Sequence, residues 1–475
     1  MSSFIIADCR KMAISSILRG IAMMKKLISL YVATSVIAPQ SLTALTLVCF
    51  CYVLLCSSCI VIIFVSFKNM PRVPLISLLL FFSIISMDFA GSAKRTLHFE
   101  ERCKNKNWTT MYLRADGSND TLHYLWDFGG KPSILMALTS LSTTLNIVCE
   151  DFLQRKDNSV IFSEKPTYTI GFILNNIIEF NDVNDTAVIN LDNVANINFL
   201  KPEFFRWSRK SFSMFGDSFG LDMEGNSYND KPMNITRYGS IKFSLRGYYF
   251  MDHTDTIPHM LHTENATLVD LILDNIQTNE SFSNSRFAIE LMIVGGGDPH
   301  KSIIIDSKKN LDDEHTPGIF EMIEVRIPSF DRPDEVENNS AYLQWRPVSY
   351  VSANRDIADS TEIVQYRSSN VNDRITAIEN SMLYCYYGNE AKELLIQTLL
   401  ISIGSKGDGF YKNTHYTTWT FIIGYGIPPD EQFSYLVIMI ISIGLGLPLI
   451  IMFLTGLYMC IRNMSKRNTD TYLNR

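Results

Sequence analysis

A long uncharged stretch lies near the C-terminus, from Phe433 to Ile461, and covers 29 positions. It exceeds the ~20 residues that a helix needs to cross a bilayer. The 14 residues that follow carry four Lys or Arg and one acid, and such a basic flank is typical of a cytoplasmic end. The pattern predicts a transmembrane helix at 433–461, a cytoplasmic tail at 462–475, and a chain that lies mostly on the lumenal or extracellular side.

Two further uncharged blocks lie near the N-terminus, at Leu27–Phe67 and Val73–Met87. If both crossed the membrane, the basic segment 1–26 would lie on the same side as the ectodomain. That arrangement would violate the positive-inside rule. We therefore do not expect both blocks to be spans of the mature protein.

The second block has the pattern of a secretory signal peptide. It follows Met70 and a basic residue, runs for 15 uncharged positions, and ends before the small residues that precede and include Ala93. We predict a signal peptide at 70–93 with cleavage near Ala93, and a non-native or cleaved extension at 1–69. An N-terminal signal anchor at 44–67 is the alternative.

Between residues 94 and 432, apolar and polar positions alternate in many short runs. The alternation is plainest in Ile241–Arg246 and Arg286–Ile293, and a period of two is typical of half-buried strands. Turn-forming Gly, Pro, Asn and Asp separate these runs. The pattern predicts a mainly β fold built of β-sandwich-like domains. Six further runs are predicted strands: Tyr168–Leu174, Leu268–Leu273, Ser302–Ile305, Phe320–Ile327, Tyr342–Trp345 and Leu394–Ile403.

The polar stretch Gly220–Thr236 is the best candidate for a domain boundary, because it is rich in Gly, Asn, Asp and Pro. Cutting near residue 235 gives two predicted lumenal β domains, 94–235 and 236–432. Each is long enough to bury a core of its own.

The net charge of the ectodomain excludes some classes of binding partner. The chain carries a formal net charge of −7, but the basic N-terminal and C-terminal segments conceal an ectodomain with a net charge of −15 over residues 94–432. A surface that acidic is not expected to bind nucleic acid or anionic lipid.

Three of the nine cysteines, Cys103, Cys149 and Cys385, lie in the ectodomain. In an oxidising compartment one disulfide and one remaining thiol are expected. The sequence does not choose among the three pairings.

Seven N-x-Ser/Thr sequons lie in the ectodomain, and an eighth, at Asn463, lies in the predicted cytoplasmic tail. Sequons on the lumenal side can be glycosylated, and their glycans would keep the loops that carry them in solvent. The predicted N-glycosylation sites are Asn107, Asn119, Asn184, Asn234, Asn265, Asn279 and Asn338.

One stretch, Gly216–Gly220, matches the G-x-S-x-G pattern that presents a nucleophilic serine in α/β-hydrolases. That mechanism needs a helix after Ser218, but the residues that follow are rich in turn formers. We interpret the stretch as a surface turn and predict no catalytic residue. A hydrolase with Ser218 as nucleophile, and His253, His259 or His262 as base, is the alternative.

The same three histidines lie close together in sequence and near two aspartates. Their spacing lacks the i, i+4 geometry of a helical zinc pair, and no cysteine supports them. We expect loop histidines and predict no metal and no cofactor.

Six stretches of the chain resemble the glycosylated lysosomal membrane protein family and occur in the family's order. The resemblance runs from about residue 107 to the C-terminus. The stretches are Asp120–Trp126 (DTLHYLW), Ile178–Asp182 (IEFND), Leu261–Thr263 (LHT), Leu311–Pro317 (LDDEHTP), Gln344–Val348 (QWRPV) and Gly424–Pro429 (GYGIPP).

The resemblance implies a type I lysosomal membrane glycoprotein without enzymatic activity. It also implies a role as accessory subunit of a major facilitator superfamily transporter that exports dipeptides, which the subunit stabilises against lysosomal proteolysis. The chain departs from the family in its tail, where Tyr472-Leu-Asn-Arg475 ends in arginine instead of a bulky apolar residue. Delivery to the lysosome would then rely on the signal of the transporter.

The predicted span offers a surface for that transporter. Ser442, Gly444 and Gly446 place small residues where another helix can approach closely. The resemblance implies no small-molecule substrate. A cell-surface adhesion or receptor protein is a further alternative, which localisation would distinguish.

Overall fold

In the computed structural model, the described part of the chain comprises residues 95–103, 109–215, 218–248, 250–295, 302–309, 315–327 and 340–431, with scattered positions between 438 and 462. These residues belong to a compact unit that spans Gly91–Arg475. The predicted signal peptide at 70–93 and the predicted extension at 1–69 lie outside the described residues. Among the residues described, no helix is long and apolar enough to cross a membrane.

Strands dominate this part of the chain, and the helices are short. In chain order the strands are β1 Thr96–Glu101, β2 Thr110–Asp116, β3 Thr121–Asp127, β4 Ser133–Thr139, β5 Leu145–Ile147, β6 Val160–Phe162, β7 Tyr168–Asn181, β8 Ile197–Leu200, β9 Arg206–Phe215, β10 Ser218–Asp230, β11 Ile235–Tyr248, β12 Asp252–His253, β13 Leu261–His262, β14 Ala266–Asp274, β15 Ser285–Gly295, β16 Ile304–Lys309, β17 Glu321–Ile327, β18 Ala341–Trp345, β19 Val348–Tyr350, β20 Ser360–Gln365, β21 Ser369–Asn370, β22 Leu395–Ile403 and β23 Tyr416–Tyr425. The α-helices are α1 Cys149–Leu153, α2 Arg374–Ile378, α3 Met382–Tyr387 and α4 Tyr411–Thr414, and 3-10 segments lie at Val194–Asn196, Pro202–Phe204, Ile357–Asp359 and Gly388–Glu393.

Most strands belong to two large sheets. The first sheet has the order β1-β2-β3-β4-β7-β15-β22-β20-β19, with β8 paired to β7 and β21 paired to β22. The second sheet has the order β16-β17-β18-β23-β14-β11-β10-β9. Neighbouring strands run antiparallel, as in the central pairs β7–β15 and β14–β23. The prediction of a mainly β protein is confirmed.

The two sheets pack face to face across one hydrophobic core. Trp126 of the first sheet contacts Phe219 of the second, with ring centroids 5.5 Å apart. The hydroxyl of Tyr168 donates to the carbonyl of Ile327 at 3.3 Å, so a hydrogen bond also joins the sheets. Full burial of one large apolar side chain contributes about 1.5–3 kcal/mol, so this shared core is the main source of stability.

Alternation along the strands aims the apolar residues at this core. On β11, Ile241, Phe243 and Leu245 are buried, while the residues between them are half exposed. The predicted run Ile241–Arg246 therefore lies in β11, and Arg286–Ile293 lies in β15. The six other predicted runs also overlap strands of the structure.

The stretch predicted as a domain boundary, Gly220–Thr236, is mostly strand. Its first part belongs to β10, where Leu221 is fully buried and polar residues alternate with core residues. Gly225 is needed there because a Cβ would lie 2.8 Å from the ring of Trp207. Residue 235 begins β11, which pairs with β10, and strands from both sides of it contribute to each sheet. The core thus joins two sheets rather than two successive segments.

A second layer covers the outer face of the first sheet. It contains α1, α2, α3 and the β5–β6 ribbon, and its apolar side chains form a separate cluster with that face. A disulfide joins Cys103 to Cys149 at the start of α1, and Cys385 of α3 is a buried free thiol. The structure thereby selects one of the three pairings that the sequence left open.

Candidate functional site

Three of the predicted glycosylation sites lie in exposed turns. Asn119 lies between β2 and β3, Asn184 follows β7, and Asn234 lies between β10 and β11. Asn107 and Asn338 fall outside the described residues. The three exposed sites leave room for a glycan to project into solvent.

Two further sequons are held more tightly. Asn265 is half-buried, and its Oδ1 accepts a hydrogen bond from Nε of Arg95 at 2.6 Å. Asn279 is also half-buried, and its Oδ1 accepts hydrogen bonds from the backbone N–H and the hydroxyl of Ser281 at 3.1 and 2.8 Å. The second arrangement is an Asx turn within the sequon itself.

Ser218 does not lie at a strand-to-helix turn. It is the first residue of β10, and its cross-strand neighbours are Phe215 of β9 and Tyr248 of β11. The two residues 216–217 connect β9 and β10, and they lie outside the described residues. The pattern therefore belongs to a hairpin, which agrees with its interpretation as a surface turn.

The histidines of the same region are separated into two stacked pairs. The ring of His262 stacks on Tyr248 with centroids 3.3 Å apart, and the ring of His253 stacks on His315 with centroids 3.5 Å apart. His259 is bonded to a backbone carbonyl instead. In the part of the chain that the structure describes, no group of three or more His, Cys, Asp or Glu is arranged to hold a metal.

The most distinctive site lies on the outer face of the second sheet. After β23 the chain crosses this face as the segment Gly426–Glu431, which we call the strap. Nε2 of Gln344 donates to the carbonyl of Pro429 at 3.2 Å, and the buried guanidinium of Arg346 pairs with Glu431. The strap is therefore held on the sheet two residues before the uncharged run that begins at Phe433.

A second ionic contact holds the strap from β16. Nζ of Lys308 lies 3.0 Å from Asp430 and 2.9 Å from Glu324, whose side chain is fully buried. Burial alone would lower the pKa of Lys308, but hydrogen bonds to Glu324 and Asp430 raise it above its usual value. Arg326 pairs with the same Glu324 carboxylate. Lys308 thus stays charged at any physiological pH and links the sheet to the strap.

The stacked pair of His253 and His315 lies beside the Arg346–Glu431 pair. Burial, and next the neighbouring His315, lower the pKa of His253, while Glu431 raises it by a smaller amount. Nε2 of His253 is buried and has no hydrogen-bond partner among the described residues. A proton on this ring would be poorly solvated, so the pair favours the neutral form.

Three of the six stretches behind the family resemblance meet around the strap. They contribute His315, Arg346 and Pro429. Neither Arg346 nor Glu431 is predicted as a site residue from the sequence. The signal in the sequence is that Arg346 directly follows the mostly apolar run of β18. If such a residue is buried, its charge must be paired, because unpaired charges are rarely buried.

Another of these stretches forms buried ion pairs at a different place. Glu179 of β7 pairs with Arg237 of β11 at 2.6 Å, and both side chains are buried. Arg286 of β15 is 2% exposed and pairs with Asp182 at 2.8 Å and Asp408 at 2.6 Å. Both arginine side chains are buried and engaged with protein groups, so we assign these pairs to stability.

Two of the three predicted helix-packing residues lie in the scattered helical positions beyond 437. Gly444 and Gly446 are described, and no atom lies within 4 Å of the place where a Cβ would be at either glycine. Ser442 lies outside the described residues. With respect to the residues that the structure describes, the space beside the two glycines is therefore open.

Comparison with known proteins places these observations in a family. The model of the family described as "Glycosylated lysosomal membrane protein" matches residues 109–466. A relative from Xenopus laevis, glycosylated lysosomal membrane protein B, is 27% identical over 76% of this chain and 88% of its own length. The relatives of that name from Danio rerio and Homo sapiens are 26% and 23% identical, over 76% and 74% of this chain and 85% and 84% of their own lengths. Since the family model covers well over half of the chain, the protein belongs to the glycosylated lysosomal membrane protein family.

Proposed function

We propose that this protein is a non-enzymatic accessory subunit of a lysosomal major facilitator superfamily transporter that exports dipeptides. In this role it stabilises the transporter and protects it from lysosomal proteolysis. It is a single-pass type I membrane protein with a lumenal β-sandwich ectodomain, a transmembrane helix at 433–461 and a cytoplasmic tail. The observation that carries the proposal is the strap, which holds the ectodomain at the first residues of the predicted span.

A subunit that shields a membrane partner must keep its folded part at a fixed place above that partner. A flexible linker would let the ectodomain sample many orientations. Here Pro428 and Pro429 are buried, and the next two residues, Asp430 and Glu431, are both ion-paired to the second sheet. The ectodomain and the start of the span are therefore coupled without a flexible linker.

The surfaces support the same role. Exposed sequons at Asn119, Asn184 and Asn234 would place glycans on turns that face solvent. Gly446 lies one turn after Ser442 on the same face of the predicted helix, and its open position would let a helix of the transporter approach closely, as small residues do in membranes. Glycans outside and a small-residue stripe in the membrane suit a chain that binds its partner through the span and covers it from the lumen.

Co-purification from native lysosomal membranes tests the partner and the compartment together. A transporter of twelve spans should be recovered with this chain, and its half-life should shorten when the chain is depleted. An unchanged transporter half-life after depletion would contradict the proposal.

A pair of substitutions in the span sharpens this test. Gly446→Leu fills the open position and should reduce recovery of the transporter. The matched control, Ile441→Leu, changes an exposed residue five positions before Gly446, which lies about 140° around the helix on another face, and should leave recovery unchanged. Equal recovery with both variants would exclude this face of the span as the contact.

A further inference from the structure

A short length of chain connects the outer face of the second sheet to the predicted span. Glu431 pairs with Arg346, which is fully buried, and the uncharged run begins two residues later at Phe433. Two residues reach at most about 7 Å. If 433–461 crosses the membrane, as the proposed function requires, this face lies within that distance of the point where the chain enters the bilayer.

The length of the uncharged run indicates how deep in the bilayer Phe433 would lie. A helix of 29 residues is about 44 Å long, close to the ~40–45 Å of a bilayer with its headgroups. Phe433 would then lie in the lumenal headgroup layer. The residues next to the strap would meet the same layer.

Exposed apolar side chains surround the strap. Ile427 belongs to it and is 66% exposed. Phe320 is 48% exposed and follows Ile319, whose carbonyl accepts a hydrogen bond from Arg346 at 2.9 Å. Met251 is 45% exposed and lies two residues before the stacked His253. Met251 and Phe320 thus lie near the Arg346 end of the strap, and Ile427 lies at the other end, where the N–H of Gly426 donates to the carbonyl of Ser340. Exposed apolar residues scattered singly need no explanation, but these three flank both ends of the segment that leads to the predicted span.

Three cations of this face are paired with carboxylates. Lys308, Arg326 and Arg346 each pair with a carboxylate of the same face or of the strap. These cations are therefore engaged with protein groups rather than with lipid phosphates. Contact with a bilayer would depend on the apolar side chains and not on anionic lipid.

We propose that the outer face of the second sheet lies on the lumenal membrane surface, with Met251, Phe320 and Ile427 inserted among the lipid headgroups. This orientation rests on the proposed single-span topology but not on the transporter. Lipid is the favoured occupant because the strap brings this face to the headgroup layer even when no partner is present.

Photo-cross-linking of the full-length protein tests this orientation. The protein is reconstituted alone into nanodiscs of phosphatidylcholine, with the photoreactive residue p-benzoylphenylalanine in place of Phe320 or Ile427. Control positions are Val194 and Leu153, which are 75% and 52% exposed and lie on elements that pack with the first sheet, Val194 directly before β8 and Leu153 at the end of α1. We expect several-fold more lipid adduct at 320 and 427 than at the controls, and the same yield when part of the lipid is anionic.

The outcomes separate this inference from the proposed function. Equal lipid adduct at all four positions would overturn the orientation. So would adducts at 320 and 427 that form only with another protein in native membranes, since the face would then be a protein contact. Release of the chain from membranes by alkaline carbonate would instead refute the single-span topology on which the proposed function rests.

Discussion

Arg346 and Glu431 form an ion pair although 85 residues separate them in sequence. The arginine side chain is 0% exposed and the glutamate side chain is 7% exposed. Nη1 of Arg346 also donates to the carbonyl of Ile319 at 2.9 Å, so one guanidinium joins three segments of the chain. The pair fixes the strap to the sheet two residues before the predicted span begins.

Replacing Arg346 with Met should destabilise the protein strongly. Removing one partner of a buried pair leaves the other charge uncompensated and costs about 3–5 kcal/mol. Thermal unfolding of the full-length protein in detergent measures this loss. The matched control is Lys156→Met in the exposed Lys156–Asp151 pair, which should cost at most about 1 kcal/mol. Similar effects of both substitutions would mean that the strap is not held by Arg346.

The disulfide should matter more than its position on an outer layer suggests. In the chain-entropy model, a crosslink over 46 residues stabilises the fold by about 4 kcal/mol. Cys103→Ser should lower the free energy of unfolding by an amount of this order. A peptide map under non-reducing conditions should link Cys103 to Cys149, while Cys385 is alkylated only after denaturation. A link from Cys385 to either residue would contradict the pairing.

Glycan occupancy should follow exposure. Asn184→Gln and Asn234→Gln should each remove one glycan, because both residues lie in exposed turns. Asn265→Gln should leave the gel mobility unchanged, because this side chain is half-buried and its amide is held against the guanidinium of Arg95, which leaves little room for a glycan on Nδ2. Asn190→Gln, in an exposed asparagine outside any sequon, is the control. A shift with Asn265→Gln as large as that with Asn234→Gln would show that exposure in the fold does not decide occupancy.

The strands could be predicted from the sequence because one face of each is buried. The alternation of apolar and polar residues in Ile241–Arg246 indicates a half-buried strand even when its partner strand is not known. β10 carries the same alternation at Phe219, Leu221 and Met223, but Gly, Asn and Asp fill most of its other positions, and Gly225 is explained only by Trp207 on the neighbouring strand. A strand with this many Gly, Asn and Asp residues has the composition of a loop, so composition alone favours a domain boundary in Gly220–Thr236.

The candidate site could not be predicted, because its contacts join distant parts of the chain. Lys308 meets Asp430 across 122 residues, and β7 pairs with β15 across a comparable distance. A single sequence does not show the order of strands in a sheet. The charge on Arg346 is visible in the sequence, but its partner Glu431 cannot be predicted from it. The family resemblance identifies stretches of sequence that meet at the strap. The order of strands in the second sheet explains why they meet.

His123 provides the clearest pH dependence in the ectodomain. It is 1% exposed, with Nδ1 2.7 Å from the hydroxyl of Tyr112 and Nε2 2.8 Å from the hydroxyl of Thr139. Because the Thr139 hydroxyl donates to the carbonyl of Ser140, it accepts from Nε2–H of His123, and Nδ1 accepts from Tyr112. The network therefore holds a neutral imidazole, and burial lowers the pKa of His123 to about 4.

Acidification should consequently weaken the fold. The unfolded histidine has a pKa of about 6.5, so between pH 6.5 and 4 the unfolded chain binds the proton more tightly than the folded protein does. The stabilisation by neutral His123 is complete above pH 6.5 and is lost as the pH falls toward 4. Between pH 7 and pH 5 the loss is about 2 kcal/mol from this residue.

Urea unfolding of the wild type and of His123→Gln, each at pH 7 and pH 5, measures this effect. Glutamine keeps a donor and an acceptor but does not titrate, so its loss of stability on acidification should be smaller by about 2 kcal/mol. Tyr112→Phe keeps the buried imidazole and should retain the pH dependence of the wild type. An equal loss in His123→Gln and the wild type would assign the acid sensitivity to other groups, among which His262 is the first to examine, since burial lowers its pKa to about 4 as well.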